Sequence, residues 1–138
     1  MTTIVYNHKD KEIAVDSRET RGTLIASDTT NKIQINGPYT FALSGCVNSI
    51  NAVVESYPNK PRIDDTVYGF MVKNSICHWL VCTPESMETY QQNYNEAAGS
   101  GEAYALTALD MGATAKEAVE MAAKRDSMTG GKIRVIKV

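Results

Sequence analysis

Thr2-Thr3-Ile4-Val5-Tyr6-Asn7-His8-Lys9-Asp10-Lys11-Glu12-Ile13-Ala14-Val15-Asp16-Ser17-Arg18-Glu19-Thr20-Arg21-Gly22, directly after Met1, is the stretch on which the fold turns. Thr3 to Tyr6 is β-rich and Glu12 to Val15 is a second short apolar run. The polar Asn7–Lys11 between them suits a hairpin turn. Thr2 carries chemistry only once Met1 is removed. A threonine at a mature N-terminus holds a hydroxyl nucleophile and an α-amine base in one residue, and that amine ordinarily titrates at about 7.7–8.0. Pairing the two activates an otherwise weak nucleophile. Most Met-Thr starts serve no such purpose, so the rest of the chain must supply the setting.

Outward from this stretch, Ser17–Asn31 is polar and reads as a loop with a short strand at Thr23–Ala26. Lys32–Asn36 alternates, with Ile33 and Ile35 on one face. Asn36-Gly37-Pro38 then turns the chain into Tyr39–Leu43. Cys46–Tyr57 spaces Val47, Ile50, Val53 and Val54 as an amphipathic helix, and Pro58 ends it. Thr66–Val72, Ile76–Cys82 and Met87–Gln91 are strand-like, and Asn93–Ala98 is polar. Gly101–Met111 is Ala/Leu-rich and stops at Gly112. Thr114 opens a capping box with Glu117, predicting a helix that reaches about Met128 before Gly130-Gly131. Lys132–Val138 reads as a final strand. Hairpins beside long helices predict antiparallel sheets layered with helices, an α+β fold in one domain over 1–138.

The chain has 138 residues, with 43% apolar and 22% charged side chains, the balance of a soluble globular domain. A net charge of −2 without a Lys/Arg run gives no footprint for nucleic acid. The apolar runs are too short for a membrane span and the start lacks a signal-peptide layout, so neither a membrane nor secretion is expected. Three cysteines (Cys46, Cys77, Cys82) form no CxxC pair, and His8 and His78 offer no zinc spacing. No metal and no cofactor is expected, and the reading is a reduced, cytoplasmic domain.

Several short motifs stand in a telling order: Thr2-Thr3-Ile4-Val5, Asp16-Ser17-Arg18-Glu19-Thr20-Arg21-Gly22, Asn31-Lys32-Ile33, Leu43-Ser44-Gly45, Gly99-Ser100-Gly101, and Arg125-Asp126-Ser127-Met128-Thr129-Gly130-Gly131. In this order they resemble the proteasome β-subunit / HslV-like peptidase family, whose members are N-terminal-nucleophile hydrolases. The resemblance implies a four-layer αββα sandwich of N-terminal-nucleophile hydrolase type. It departs from the family between Gly45 and Gly99, where two long helices are usual and only Cys46–Tyr57 is convincing here. One helical layer is therefore expected to be reduced, which puts ring size and the docking of an unfoldase in question. Thr129 stands where the family usually has serine, and the hydroxyl survives.

By that resemblance Thr2 supplies the nucleophilic Oγ, and Lys32 lowers the pKa of the hydroxyl and the amine. Asp16 would hold Lys32, and Gly45 would give its N–H to an oxyanion. Ser100, Asp126 and Thr129 would group around the Thr2 amine. Each has a plainer reading: a solvated strand lysine, a turn carboxylate, a tight glycine turn, an N-cap serine, a late helix aspartate. Asp126 near a helix C-terminus opposes the macrodipole, so a compensating contact is expected. Arg18 would belong to a structural ion-pair network and Thr20 would present backbone groups to a bound peptide. Glu19, Thr30, Gln34 and Leu43 would line the pocket for the side chain before the cut, with Glu19 favouring basic or polar side chains.

The implied function is a threonine-type endopeptidase working inside an oligomeric assembly on peptides or unfolded protein, possible partners being further copies of the chain and an ATP-dependent unfoldase. Two alternatives stay open: a catalytically silent scaffold that keeps Met1, and a non-peptidase amide hydrolase of the same fold.

Overall fold

The computed structural model describes residues 1–138. Two antiparallel sheets carry the chain. Strands β1 (Thr3–Asn7), β2 (Glu12–Val15), β10 (Glu96–Gly99) and β11 (Arg134–Lys137) form one sheet in the order β10-β1-β2-β11. Strands β5 (Ile33–Asn36), β6 (Tyr39–Ser44), β7 (Val67–Lys73), β8 (Ile76–Cys82) and β9 (Met87–Gln91) form the other, in sequence order. Strands β3 (Glu19–Arg21) and β4 (Leu24–Ser27) make a separate hairpin. Helix α1 (Val47–Ser56) lies on the second sheet, while α2 (Glu102–Asp110) and α3 (Ala115–Arg125) lie on the first.

The two-residue alternation of β1 and β2 explains the layering. Val5 and Ala14 turn toward Ala105, Leu109, Ala118 and Val119 of the helices. Ile4, Tyr6, Ile13 and Val15 turn the other way and meet Ala42, Phe70 and Cys77 of the second sheet. On that sheet's far side Phe41, Leu43, Val67 and Leu80 pack against Val53 and Val54 of α1. The result is helix, sheet, sheet, helix, with a single helix in the last layer. Each fully buried Val or Ile stabilises this arrangement by roughly 1.5–3 kcal/mol, which is why β1, covered on both faces, is buried along its whole length.

Three expectations need correction. Asn93–Ala98, read as polar, runs into β10, whose Ala97 and Ala98 are buried. Alanine has little strand preference, and the strand forms because β1 offers an edge: Thr3 pairs with Gly99 and Ile4 with Ala98. The Ser17–Asn31 loop is a hairpin in which β3, unexpected, pairs with β4 around Gly22. Helix α3 stops at Arg125 instead of running to Met128, because Asp126 takes an extended conformation and turns its carboxylate back into the fold. Ile33 and Ile35 do share a strand face, yet only Ile33 is packed; Ile35 is 71% exposed on the edge strand β5. The capping box at the start of α3 forms as expected: Glu117 N donates to Thr114 Oγ1 at 3.1 Å and Thr114 N donates to Glu117 Oε1 at 2.9 Å.

Candidate active site

Asp16 follows the last residue of β2 and is completely buried. A buried carboxylate is costly unless donors surround it, and here they do. Thr3 N (3.1 Å) and Lys32 Nζ (2.9 Å) donate to Oδ1, and Gly130 N (3.1 Å) and Arg18 N (3.3 Å) donate to Oδ2. Lys32 precedes β5, and strand alternation sends it with Gln34 toward a cavity while Ile33 faces the core. Its side chain is only 10% exposed. Burial pushes the Lys32 ammonium below the ordinary lysine range, and the charge and hydrogen bond of Asp16 oppose that shift without cancelling it. Lys32 Nζ also donates to the Met1 carbonyl at 2.8 Å.

A second group lies where the chain leaves β10 and α3. Ser100 Oγ donates to Asp126 Oδ2 at 2.6 Å and Thr129 Oγ1 donates to the same oxygen at 2.7 Å. Met128 N donates to Asp126 Oδ1 at 3.1 Å, completing the contact that a carboxylate at a helix C-terminus requires. Burial alone would raise the Asp126 pKa. The bonds from Ser100, Thr129 and Met128, with the N-terminal ammonium nearby, outweigh it and hold the group below its ordinary value. Thr129 is fully buried, and its Oγ1 lies 2.5 Å from Thr3 Oγ1, which in turn accepts from Gly101 N at 3.1 Å.

Thr2 is 7% exposed and lines the same cavity as Lys32. Its carbonyl accepts from Ser100 N at 2.8 Å. Gly99 makes that approach feasible: at φ +103°, a Cβ there would lie 1.6 Å from the Thr2 carbonyl oxygen. Gly45 follows β6 with φ +149°, where a Cβ would meet Thr66 O at 3.0 Å and Val67 Cγ2 at 3.2 Å. This exposed glycine leaves its backbone uncovered at the cavity.

The cavity measures about 110 Å³, and Thr2, Glu19, Thr30, Lys32, Gln34, Leu43 and Gly45 all line it. Ser100, Asp126 and Thr129 do not line it; of the three, Ser100 bonds Thr2, through its backbone N–H to the Thr2 carbonyl. Thr20, expected to face a bound peptide, stands half-buried on β3 and does not line the cavity. Arg18 forms the expected structural pair, a two-pronged contact with Asp28 at 2.8 and 3.0 Å. Thr3, Asn31, Val47 and Ile50 were assigned no role in the site from sequence. Thr3 joins Thr129 to Gly101, and Asn31, Val47 and Ile50 complete the cavity wall. A larger apolar depression of about 650 Å³ lies between α2 and α3, beside Met111 and Met121 and outside the Thr2 group. No set of three or more His, Cys, Asp or Glu side chains converges as metal ligands.

No protein-family model matches the chain, and no curated protein matches it in sequence. Its fold is similar to a solved structure, that of Thiobacillus denitrificans BPH in complex with epoxomicin. The TM-score is 0.69, with 99% of this chain and 97% of that chain covered at 15% identity. At that identity the likeness is one of fold: this chain's antiparallel sheets and three helices give an α+β arrangement similar overall to that of BPH.

Proposed function

We propose that the chain is a proteasome-like threonine peptidase of the N-terminal-nucleophile hydrolase class, active once Met1 is gone. The observation that supports this reading is a pair of hydrogen-bonded groups tied to the N-terminal segment: Asp16–Lys32, where Lys32 lines one cavity with Thr2 and bonds the Met1 carbonyl, and Ser100–Asp126–Thr129, where Ser100 N bonds the Thr2 carbonyl. The freed Thr2 amine takes the proton from Oγ as it attacks a peptide carbonyl, either directly or through water. The Lys32 ammonium, held by Asp16, favours the deprotonated hydroxyl and the neutral amine. Gly45 N–H stabilises the oxyanion, a donor of a kind that contributes about 3–4 kcal/mol. The amine then protonates the leaving nitrogen, and water hydrolyses the resulting ester with the same amine as base. Asp126, hydrogen-bonded to Ser100 and Thr129, orients and supports the ammonium whenever it forms.

Glu19 and Gln34 give the cavity a polar wall, which supports cleavage after basic or polar side chains. Exposed Leu24 and Ile25 on the β3–β4 hairpin and Ile35 on β5 support self-association into a ring or other oligomer. In that setting the site works in the cytoplasm on peptide or unfolded chain, with an ATP-dependent unfoldase as the source of substrate. The complex of BPH with epoxomicin lends support, since a chain of this fold binds that compound.

Fluorogenic peptides ending in a basic or polar residue test the reading. The Met1-free chain should hydrolyse them, and Thr2→Ala should lose activity by about a thousandfold or more while staying folded. Undiminished hydrolysis by Thr2→Ala would place the nucleophile elsewhere. One observation favours a second reading, the silent scaffold: with Met1 in place, Lys32 is bonded to the Met1 carbonyl and Met1 walls the cavity. A native chain retaining Met1 and hydrolysing nothing would support it.

A further inference from the structure

One phenol links the Gly45 turn to the Gly99–Ser100 turn. Tyr68 on β7 pairs across the ladder with Ser44, the residue before Gly45. The neighbouring Gly69 keeps the two strands close: at φ +152°, a Cβ there would lie 2.4 Å from the Ala42 carbonyl oxygen on β6. Strand alternation sends Tyr68 to the opposite face from Val67. Val67 packs with α1, while Tyr68 joins Phe70 and Ala98 between the two sheets. The Trp79 ring, 5.8 Å away centre to centre, flanks it there.

From this position the Tyr68 hydroxyl reaches the first sheet. Strand β10 is an edge strand, paired with β1 alone. Ser100 N turns toward β1 and donates to the Thr2 carbonyl at 2.8 Å. Strand N–H groups alternate in direction, so Gly99 N turns outward, where no strand receives it. Gly99 is buried, and a buried N–H without an acceptor is destabilising. Tyr68 supplies the acceptor: Gly99 N donates to its hydroxyl oxygen at 3.2 Å. The hydroxyl in turn donates to Oε2 of Glu102, the first residue of α2, at 3.2 Å. The carboxylate takes the phenol proton and leaves an oxygen lone pair for Gly99. Burial, reinforced by the Glu102 charge, pushes the Tyr68 phenol above its ordinary range, so it keeps that proton.

We propose that Tyr68 is a positioning residue that holds Ser100 against the Thr2 carbonyl. It does not line the Thr2 cavity and acts through Gly99. Anchored by Tyr68, Gly99 delivers Ser100 N to Thr2 and Ser100 Oγ to Asp126, the latter at 2.6 Å. Because its backbone is paired with Ser44, the same residue ties this turn to the strand that leads into Gly45. A misplacement of about 1 Å in a catalytic constellation can cost about a hundredfold in rate. Losing one bond while the ring stays in place should cost about tenfold.

The catalytic meaning of this role rests on the peptidase reading, so kinetics are paired with a readout that needs no activity. Tyr68→Phe keeps the ring against Trp79 and removes only the oxygen. Trp79→Phe loosens the packing of the same ring and leaves the Tyr68 hydroxyl in place. Native-state amide exchange should show Gly99 and Ser100 exchanging at least about tenfold faster in Tyr68→Phe, with β8 protected as before. In the Met1-free chain, kcat for a fluorogenic peptide should fall about tenfold with KM within about twofold, since the cavity wall is untouched. Trp79→Phe should leave both readouts as in the parent chain. Unchanged exchange at Gly99 and Ser100 in Tyr68→Phe would overturn the proposal. So would faster exchange with an undiminished kcat, or an equal fall of kcat in Trp79→Phe. A parent chain that hydrolyses nothing would sink the peptidase reading instead, and the exchange rates alone would then decide whether Tyr68 holds Ser100.

Discussion

Asp16 and Lys32 show most clearly what single residues contribute. A buried ion pair gains little net stability, but removing one member strands the other, at about 3–5 kcal/mol. Asp16 also accepts from three backbone N–H groups. Asp16→Ala should therefore lower the unfolding free energy measured by urea denaturation by about 3–5 kcal/mol and abolish activity together. Lys32 sets an alkaline limit on catalysis. Its pKa lies below the ordinary lysine value because burial dominates, so its charge is lost early as pH rises. Activity in the Met1-free chain should fall at a pH below about 10.4, the unperturbed lysine pKa, and a pH–rate profile will show it. Glu19→Gln removes a charge that raises the Lys32 pKa, so it should move this limb to still lower pH. Asp126 acts in the opposite sense. Its depressed pKa means that the stability it contributes is present above the ordinary aspartate pKa of about 3.9 and is lost as pH falls through the folded value. At this scale Asp16, Lys32, Gly45 and Asp126 were singled out through the resemblance of the motifs that hold them, and the structure adds the contacts Asp16–Lys32 and Asp126–Ser100. Thr3 was not: its role comes from contact with Gly101 and Thr129, about a hundred residues away.

Elements were legible in proportion to how much of their stability is local. The start of α3 was readable because the Thr114–Glu117 box is closed within four residues. Thr114→Ala should cost about 1 kcal/mol, measured by denaturant unfolding, with the Thr2 group unaffected. Strand β10 was invisible because Glu96-Ala97-Ala98-Gly99 is a strand only by pairing with β1. It nonetheless positions the site, since Gly99 allows Ser100 N to reach the Thr2 carbonyl. Gly99→Ala puts a methyl group 1.6 Å from that oxygen at a positive φ. It should destabilise the protein by more than about 2 kcal/mol, and amide exchange should show β1 and β10 losing protection first. The end of α3 was overrun for the same reason: the carboxylate of Asp126 turns toward partners that sequence distance conceals. Strand β8 offers a chemical check on the layers. Burial pushes the Cys77 thiol up to about 12, and Cys82 is likewise buried and raised, whereas Cys46 is exposed. Native protein should accept one maleimide per chain at neutral pH, and unfolded protein three.

The whole molecule is four layers whose last contains one helix, and its fold resembles that of BPH along almost its entire length. Hairpin and helix signals along the chain predicted antiparallel sheets layered with helices, whereas the four-layer order was implied by the family resemblance alone. The placement of exposed Leu24, Ile25 and Ile35 could not be anticipated, since apolar character alone does not tell a core position from an uncovered edge. If these side chains mediate assembly, the double substitution Leu24→Lys, Ile25→Lys should reduce the sedimentation coefficient to that of a monomer while circular dichroism stays unchanged. An unaltered oligomer would assign assembly to another surface. The central claim, that Thr2 is the nucleophile of this fold, rests on one covalent bond and is tested most directly by one mass. Incubated with epoxomicin, the Met1-free chain should gain one equivalent of the compound, and Thr2→Ala should gain none. No adduct on the Met1-free chain, or the same adduct on Thr2→Ala, would contradict it.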